Sequence, residues 1–287
     1  MSFIRGVKQP IKMLRWRLRR AQTARRWGQA ELDRLPIVIG NAMPKSGSHL
    51  LFQVLLGLTG IGPFVDPGLP PISRSVGNQN LPEAAVLANL GQLKPGDVTY
   101  GYLHAREPYV SELTRVGLAT FFIYRDPRDL IVSHVFYATQ IHMGHGMHKY
   151  YTEKLSNMEQ RINAAIQGVQ QPDAQLSPIL TKYKNYLGWL DRSSVLSLRF
   201  EDLVLDRLAT LGRILDHLAI RGFQPPASRE KAITLLAAAI TPRASGTFRR
   251  GQPGEWRQHF TDENKRVFKS ATGNLLQRLG YETSSAW

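Results

Sequence analysis

Cysteine is absent from the chain. That excludes a disulfide framework, a thiolate zinc site and a cysteine nucleophile. Long apolar runs are missing too: a membrane-crossing helix needs about 18 apolar residues or more, and the best candidate, 50–65, is broken by Gln53, several glycines and Pro63. No fixed-period repeat or low-complexity tract occurs. Acidic side chains are scarce, with 22 Asp and Glu against 37 Lys and Arg, leaving a formal net charge of +15.

What is present suits a large folded unit. The 287 residues are 43% apolar, enough to bury a sizeable core. Apolar β-branched and aromatic runs predict strands at 36–41, 97–102, 118–124 and 194–200. Helical periodicity falls at 48–58, 82–92, 127–140, 155–168, 178–190, 204–219, 228–239 and 262–278. Strands alternating with helices imply an α/β fold of three layers, a mostly parallel central sheet with helices on both faces. In such sheets ligands sit beyond the carboxyl ends of the strands.

The charge is uneven. Residues 1–34 hold ten Lys or Arg against Glu31 and Asp33, so +8 of the net charge lies there and +7 in the other 253 residues. This segment is expected to be a basic amphipathic arm, with Ile11, Leu14, Leu18 and Ala21 at helical spacing, and 35–287 the main domain. The arm has three readings: a solvated arm packed on the domain, an anchor to anionic lipid headgroups, or a removable transit segment. It lacks the apolar stretch of a secretory signal. A cytoplasmic protein, soluble or peripheral to a membrane, is expected.

Three segments carry candidate chemistry. In "PIVIGNAMPKSGSHLLFQVLL", 36–56, a strand runs through a polar turn into a helix. Gly47 lets backbone N–H groups turn toward an anion, and the helix start adds donors and the positive end of its dipole. This is not a Walker A loop, because Lys45 precedes Gly47. In "FFIYRDPRDLIVSHVFY", 121–137, Arg125 ends a strand, Asp126 is placed to N-cap a helix with Pro127 at its first position, and Ser133 follows two turns on. A guanidinium and a hydroxyl suit a second phosphate, and pairing of Arg125 with Asp126 or Asp129 is the alternative. In "GTFRRGQPGEWRQHFT", 246–261, Arg249 and Arg250 precede Gly251, ahead of a helix capped by Thr261.

Taken together and in order, these segments resemble the PAPS-dependent sulfotransferase family. Its cytosolic members carry a P-K-S-G-T-like loop, an R-[DN]-P-[KR]-D segment with a serine eight residues after the arginine, and a late R-K-G-x-x-G-x-W stretch. Here these read "PKSGS", "RDPRD" with Ser133, and "RRGQPGEW", and "RFEDL" at 199–203 resembles the family's Y-E-D segment.

The resemblance implies sulfuryl transfer from 3′-phosphoadenosine 5′-phosphosulfate (PAPS) to a hydroxyl or amine, with PAP as product and no metal. By carry-over the P-loop-like turn of Lys45, Ser46, Gly47 and Ser48 holds the 5′-phosphosulfate, and His49 either faces the sulfuryl group as a further cofactor contact or caps the helix start. Arg125, Ser133, Arg249, Arg250 and Gly251 hold the 3′-phosphate, and Phe200 stands where the family's tyrosine contacts the nucleotide. His104, in "TYGYLHAREPY", matches the family's general base, and Lys45 stabilises the leaving phosphate.

Tyr102 and Leu103 replace the family's Lys-Thr, and Ser48-His49-Leu50 replaces its Thr-Thr-Trp, which removes an aromatic surface for adenine. The acceptor is expected to be a small alcohol or phenol, a glycan or a lipid-linked molecule, shaped by 62–96 and 137–178. His142, His145 and His148 are read as part of an acceptor-side loop rather than a metal site, because Gly144 and Gly146 weaken a helical arrangement. A nucleotide-dependent kinase and a nucleic-acid-binding protein are the alternatives. The first would need a Walker lysine and a magnesium carboxylate that cannot be placed, and the second is weakened by the concentration of charge in one arm. The cytosolic dimer motif is not evident, which favours a monomer.

Overall fold

The computed structural model describes residues 3–241 and 251–287, with side chains from residue 11 onward. It divides into two compact units. The first runs to Tyr124 and resumes at Trp189, while the second holds 125–188 and the chain after 244.

The first unit contains the sheet. Its elements are α1 (Phe3–Trp27), α2 (Gln29–Arg34), β1 (Ile37–Ala42), α3 (Ser48–Ile61), α4 (Glu83–Gln92), β2 (Val98–Gly101), α5 (Tyr109–Thr114), β3 (Leu118–Tyr124), β6 (Val195–Arg199), α9 (Phe200–Leu205), α10 (Arg207–Ala219) and α11 (Arg229–Ala238). The strand order is β2-β1-β3-β6, and every pairing is parallel. Each residue of β1 and β3 is buried, as both-sided cover of a parallel strand requires. This explains why these strands read as continuous apolar runs rather than alternating ones.

The main core lies where α3, α10 and α11 meet the sheet: Leu51, Val54, Leu55 and Leu58 join Val38, Phe121 and Ile123, and Leu211, Leu215 and Leu236 close the layer. The α3 helix can come this near because β1 carries glycine at the crossing. A Cβ on Gly40 would lie 2.8 Å from Leu55 Cδ1. From β1 the chain moves to β2 on one side and later to β3 on the other, so the order reverses between β1 and β3. Crevices outside the strand ends form at such switch points.

The second unit holds α6 (Pro127–Phe136), α7 (Met158–Gln167), the short hairpin β4 (Val169–Gln171) and β5 (Ala174–Leu176), α8 (Ile179–Leu187), α12 (Asp262–Thr272) and α13 (Leu275–Arg278). Two five-residue π-helical turns lie at Tyr137–Ile141 and Tyr150–Lys154. As expected, Asp126 caps α6 by accepting from the Arg128 N–H, with Pro127 in the first turn. Thr261 caps α12 in a reciprocal capping box with Asn264.

Arg128 is the knot of this unit. Fully buried, it forms a fork with Asp126 at 2.7 Å and reaches Glu282 at 2.6 Å. Its guanidinium carbon lies 3.9 Å from the Trp256 ring centre and 4.5 Å from that of Trp287. A planar cation satisfies two carboxylates through its N–H fork and still packs against two aromatic rings, which an ammonium cannot do. Replacing Arg128 by methionine leaves both carboxylates without their cation and should cost about 3–5 kcal/mol. Urea unfolding measures this, and Arg128→Lys should recover only a minor part; an unchanged midpoint in Arg128→Met would show that the knot is not structural.

Candidate active site

The turn after β1 is shaped by three unusual features. Lys45 and Gly47 both have positive φ, 71° and 96°. Gly47 is irreplaceable on two counts, since a Cβ there would also lie 2.5 Å from the Phe200 ring. Ser46, fully buried, shares its hydroxyl proton between the carbonyls of Met43 at 2.7 Å and Ile123 at 3.0 Å, and its N–H donates to Met43. Ser46 therefore clasps the loop to the ends of β1 and β3.

Beyond it α3 begins, and the backbone N–H groups of Gly47, Ser48 and His49 donate to no other described residue. They form the donor-rich start of a helix. Burial lowers the Lys45 pKa to about 7. His49 is exposed, yet its pKa is also lowered, by partial desolvation first and then by the Lys45 charge, so these two side chains feel one another.

His104 lies three residues past β2. Its position depends on contacts that sequence reading missed. Asn41, buried inside β1, uses its amide to bracket Leu103: Nδ2 donates to the Leu103 carbonyl at 2.9 Å, and Oδ1 accepts the Leu103 N–H at 2.8 Å. Trp189 Nε1 donates to the same carbonyl at 2.8 Å. The available signal was a lone asparagine in an otherwise apolar strand. The His104 side chain is exposed, yet partial desolvation and then the Arg106 charge lower its pKa, which favours the neutral imidazole a base requires.

Tyr102, which stands in place of the lysine of the family pattern, is tied into the same loop. Its phenol oxygen is 3.0 Å from Ser48 Oγ, its N–H donates to Ser73 Oγ, and the Arg74 guanidinium lies 5.3 Å from its ring centre. Lys45, Ser46, Gly47, Ser48, His49, His104 and Phe200 thus all belong to the first unit, with Phe200 packed beneath Gly47.

The second unit carries Arg125, Ser133 and Gly251, while Arg249 and Arg250 lie outside the described residues. Arg125 is buried, and its carbonyl accepts from the Tyr183 hydroxyl at 2.6 Å. Ser133 is half-buried on α6. Buried Asp129 accepts the N–H groups of Gly254 at 2.6 Å and Trp256 at 2.8 Å, so the late glycine-containing stretch is docked onto α6 through its backbone. Burial raises the Asp129 pKa, and the Arg125 charge opposes that. Two of the sequence segments are thereby joined. The histidines of 142–148 are engaged locally: His145 Nδ1 accepts the Met147 N–H, and His148 Nδ1 lies 2.8 Å from the Ala138 carbonyl.

A model of the sulfotransferase domain family matches residues 120–280. The chain belongs to that family. The matched span contains Arg125, Ser133, Phe200 and Gly251 and begins after Lys45 and His104. The 3-alpha-hydroxysteroid sulfotransferase of Cavia porcellus is 25% identical over 161 residues, 51% of this chain and 52% of that protein, so the chain spans about half the length of this curated relative.

Among solved structures, retinol dehydratase in complex with androsterone and inactive cofactor PAP superposes with a TM-score of 0.58 at 17% identity, covering 86% of this chain and 83% of that one. Mouse sulfotransferase SULT7A1 complexed with PAP gives 0.57 at 15% identity, covering 89% of each chain. The sulfotransferase fold, a mostly parallel central sheet flanked by helices, is therefore that of this chain.

The depressed Lys45 pKa makes a prediction about this sulfotransferase-family loop without ligand. The folded pKa lies below the unfolded value of 10.5. The unfolded chain then binds more protons between the two, so the penalty of burying the ammonium is full below about pH 7 and fades as pH rises toward 10.5. Lys45→Met should raise the melting temperature below neutrality, and the gain should shrink steadily under alkaline conditions. A pH-independent difference in calorimetry would refute burial as the cause.

Proposed function

We propose that this protein is a PAPS-dependent sulfotransferase that moves a sulfuryl group to the hydroxyl of a small molecule. The observation that carries the reading is the turn at the end of β1. Left-handed Lys45 and Gly47, the N–H groups opening α3, and a half-buried lysine whose pKa is lowered to about 7 form a cradle suited to a phosphosulfate. The glycine that a Cβ would disrupt is part of that fit.

PAPS would supply the activated sulfuryl group and the PAP leaving group. Around it, Lys45 supplies positive charge where negative charge develops on the bridging oxygen. Bound anion charge favours the ammonium, so ligand binding takes up a proton near neutral pH. The α3 N–H groups and Ser48 orient the phosphosulfate, with Tyr102 fixing the Ser48 hydroxyl. Ser46 and Phe200 shape the loop. His104 accepts the acceptor's proton at a ring nitrogen, and Asn41 and Trp189 hold the chain that presents it. Arg125, Ser133 and Gly251, with Arg249 and Arg250, receive the 3′-phosphate.

The proposed acceptor is a small apolar alcohol. Support comes from the relatives, one named for a 3-alpha-hydroxysteroid and another crystallised with retinol and PAP.

Thermal melting with PAP, ADP and ATP in parallel tests the donor class, because a ligand of the native state raises its stability. PAP alone should stabilise; equal shifts by all three, or none by PAP, would remove the assignment. With an alcohol acceptor, His104→Ala should lower turnover by about 10²–10⁴-fold while PAP binding survives. The acid limb of the wild-type pH profile should lie below the ordinary imidazole value. Tyr102→Phe removes one hydrogen bond of about 1 kcal/mol and should slow transfer about fivefold.

A further inference from the structure

The α1 helix is docked by a face that its apolar pattern does not mark. Trp16, buried among Leu32 and Val65, donates from Nε1 to Asp97 at 3.0 Å. Arg20 donates to the same carboxylate at 2.8 Å and to the Pro95 carbonyl at 2.9 Å, and Arg19 pairs with Asp66 at 3.1 Å. Asp97 is fully buried and also accepts the Lys94 N–H, so the helix is fixed at a committed anchor.

The apolar stripe turns the other way. Ile11, Leu14 and Leu18 are 45%, 58% and 54% exposed, and Ala21 continues the line, also exposed. Arg15, Arg17 and Arg25 flank the stripe; all are exposed and none forms an ion pair among the described residues. No acidic residue occurs anywhere in α1. The helix thus spends two arginines on its anchor and leaves Arg15, Arg17 and Arg25 beside leucines in water.

We propose that this outer face of α1 is a docking surface for an anionic lipid bilayer. Aliphatic side chains in a line, bordered by guanidinium groups, match an acyl boundary beneath phosphate headgroups. Charge complementarity selects that occupant. Nucleic acid would use the arginines but has no place for Ile11, Leu14 and Leu18, and a second copy of this helix would bring cation against cation.

The anchor also sets the direction. Asp97 immediately precedes β2, whereas His104 follows its other end. Fully exposed Val116 precedes β3, and exposed Ile220 adjoins Arg221, which donates to the Leu118 carbonyl at the start of β3. The bilayer therefore meets the amino ends of the strands, and the Lys45 loop opens from the opposite end of the sheet. An acceptor would arrive from the aqueous side.

Among the described residues no helix is long and apolar enough to cross a membrane, so the attachment is interfacial. The test is co-sedimentation of the full chain with phosphatidylcholine vesicles, with and without phosphatidylserine. Binding should require phosphatidylserine and weaken with salt, and Leu14→Ser/Leu18→Ser should reduce it about tenfold or more, as should Arg15→Ser/Arg17→Ser/Arg25→Ser. Both variants should keep the wild-type melting temperature, since neither set packs inside the unit. Equal partitioning of wild type and the leucine variant would overturn the proposal. So would a dimer that the leucine variant dissolves in sedimentation velocity, or retention on duplex DNA unaffected by the leucine change without vesicle binding.

Discussion

One hydroxyl, that of Ser46, governs how the loop between β1 and α3 can exist. Its proton is divided between carbonyls at the ends of β1 and β3, the neighbouring strands at which the sheet order reverses. With that clasp closed, Lys45 and Gly47 must turn through left-handed conformations to reach the start of α3. The left-handed lysine is disfavoured by backbone sterics, and the loop tolerates it because the two residues after it are held: Ser46 by its hydroxyl, and Gly47 by the Phe200 ring packed against it. The strain leaves N–H donors and a half-buried lysine within one short turn, an arrangement that ordinary turn energetics would not select.

The position of His104, beyond the end of β2, follows from the same economy of fixed backbone. His104 is outside any strand, and an unpinned loop residue would be a poor base because its ring would wander relative to its substrate. Asn41 solves this by extending the β1 to β2 relationship beyond the end of the ladder. Its amide supplies both the donor and the acceptor that a further strand residue would have offered to Leu103. Placing a buried amide among apolar neighbours is costly unless each of its groups is partnered, and Leu103 provides both partners. Trp189 then takes the remaining capacity of the carbonyl.

Much of the scaffold was legible because its strands are buried on both faces. Runs such as Leu118–Tyr124 announce themselves without any need to guess a solvent side. The helix-start chemistry of Asp126, Pro127 and Thr261 was local and therefore readable. The short α5 helix and the three-residue strands β4 and β5 were missed, since none is long enough to show a period. Long-range partnerships were hidden in the same way: nothing near Asp129 indicates that its carboxylate will hold the Gly254 and Trp256 backbone. In α1 the apolar pattern pointed to Ile11, Leu14 and Leu18, yet the packed face is built on Trp16 and on Arg20, which is neutralised by a distant Asp97. A periodicity argument counts apolar residues and cannot see a buried carboxylate 77 residues away in the chain.

Tyr102 shows how a departure from the family pattern is accommodated. A lysine at that position would add a second ammonium near Lys45, and like charge would drive the already depressed Lys45 pKa lower, leaving less of the charged form at neutral pH. The phenol instead donates to, or accepts from, Ser48 without adding charge. Positive charge in this neighbourhood comes instead from Arg74, spread over a guanidinium and set above the Tyr102 ring, where the aromatic face offsets part of it. The difference therefore exchanges a direct cation for a positioned hydroxyl, and it leaves Lys45 as the ammonium of this loop whose pKa burial brings to about 7.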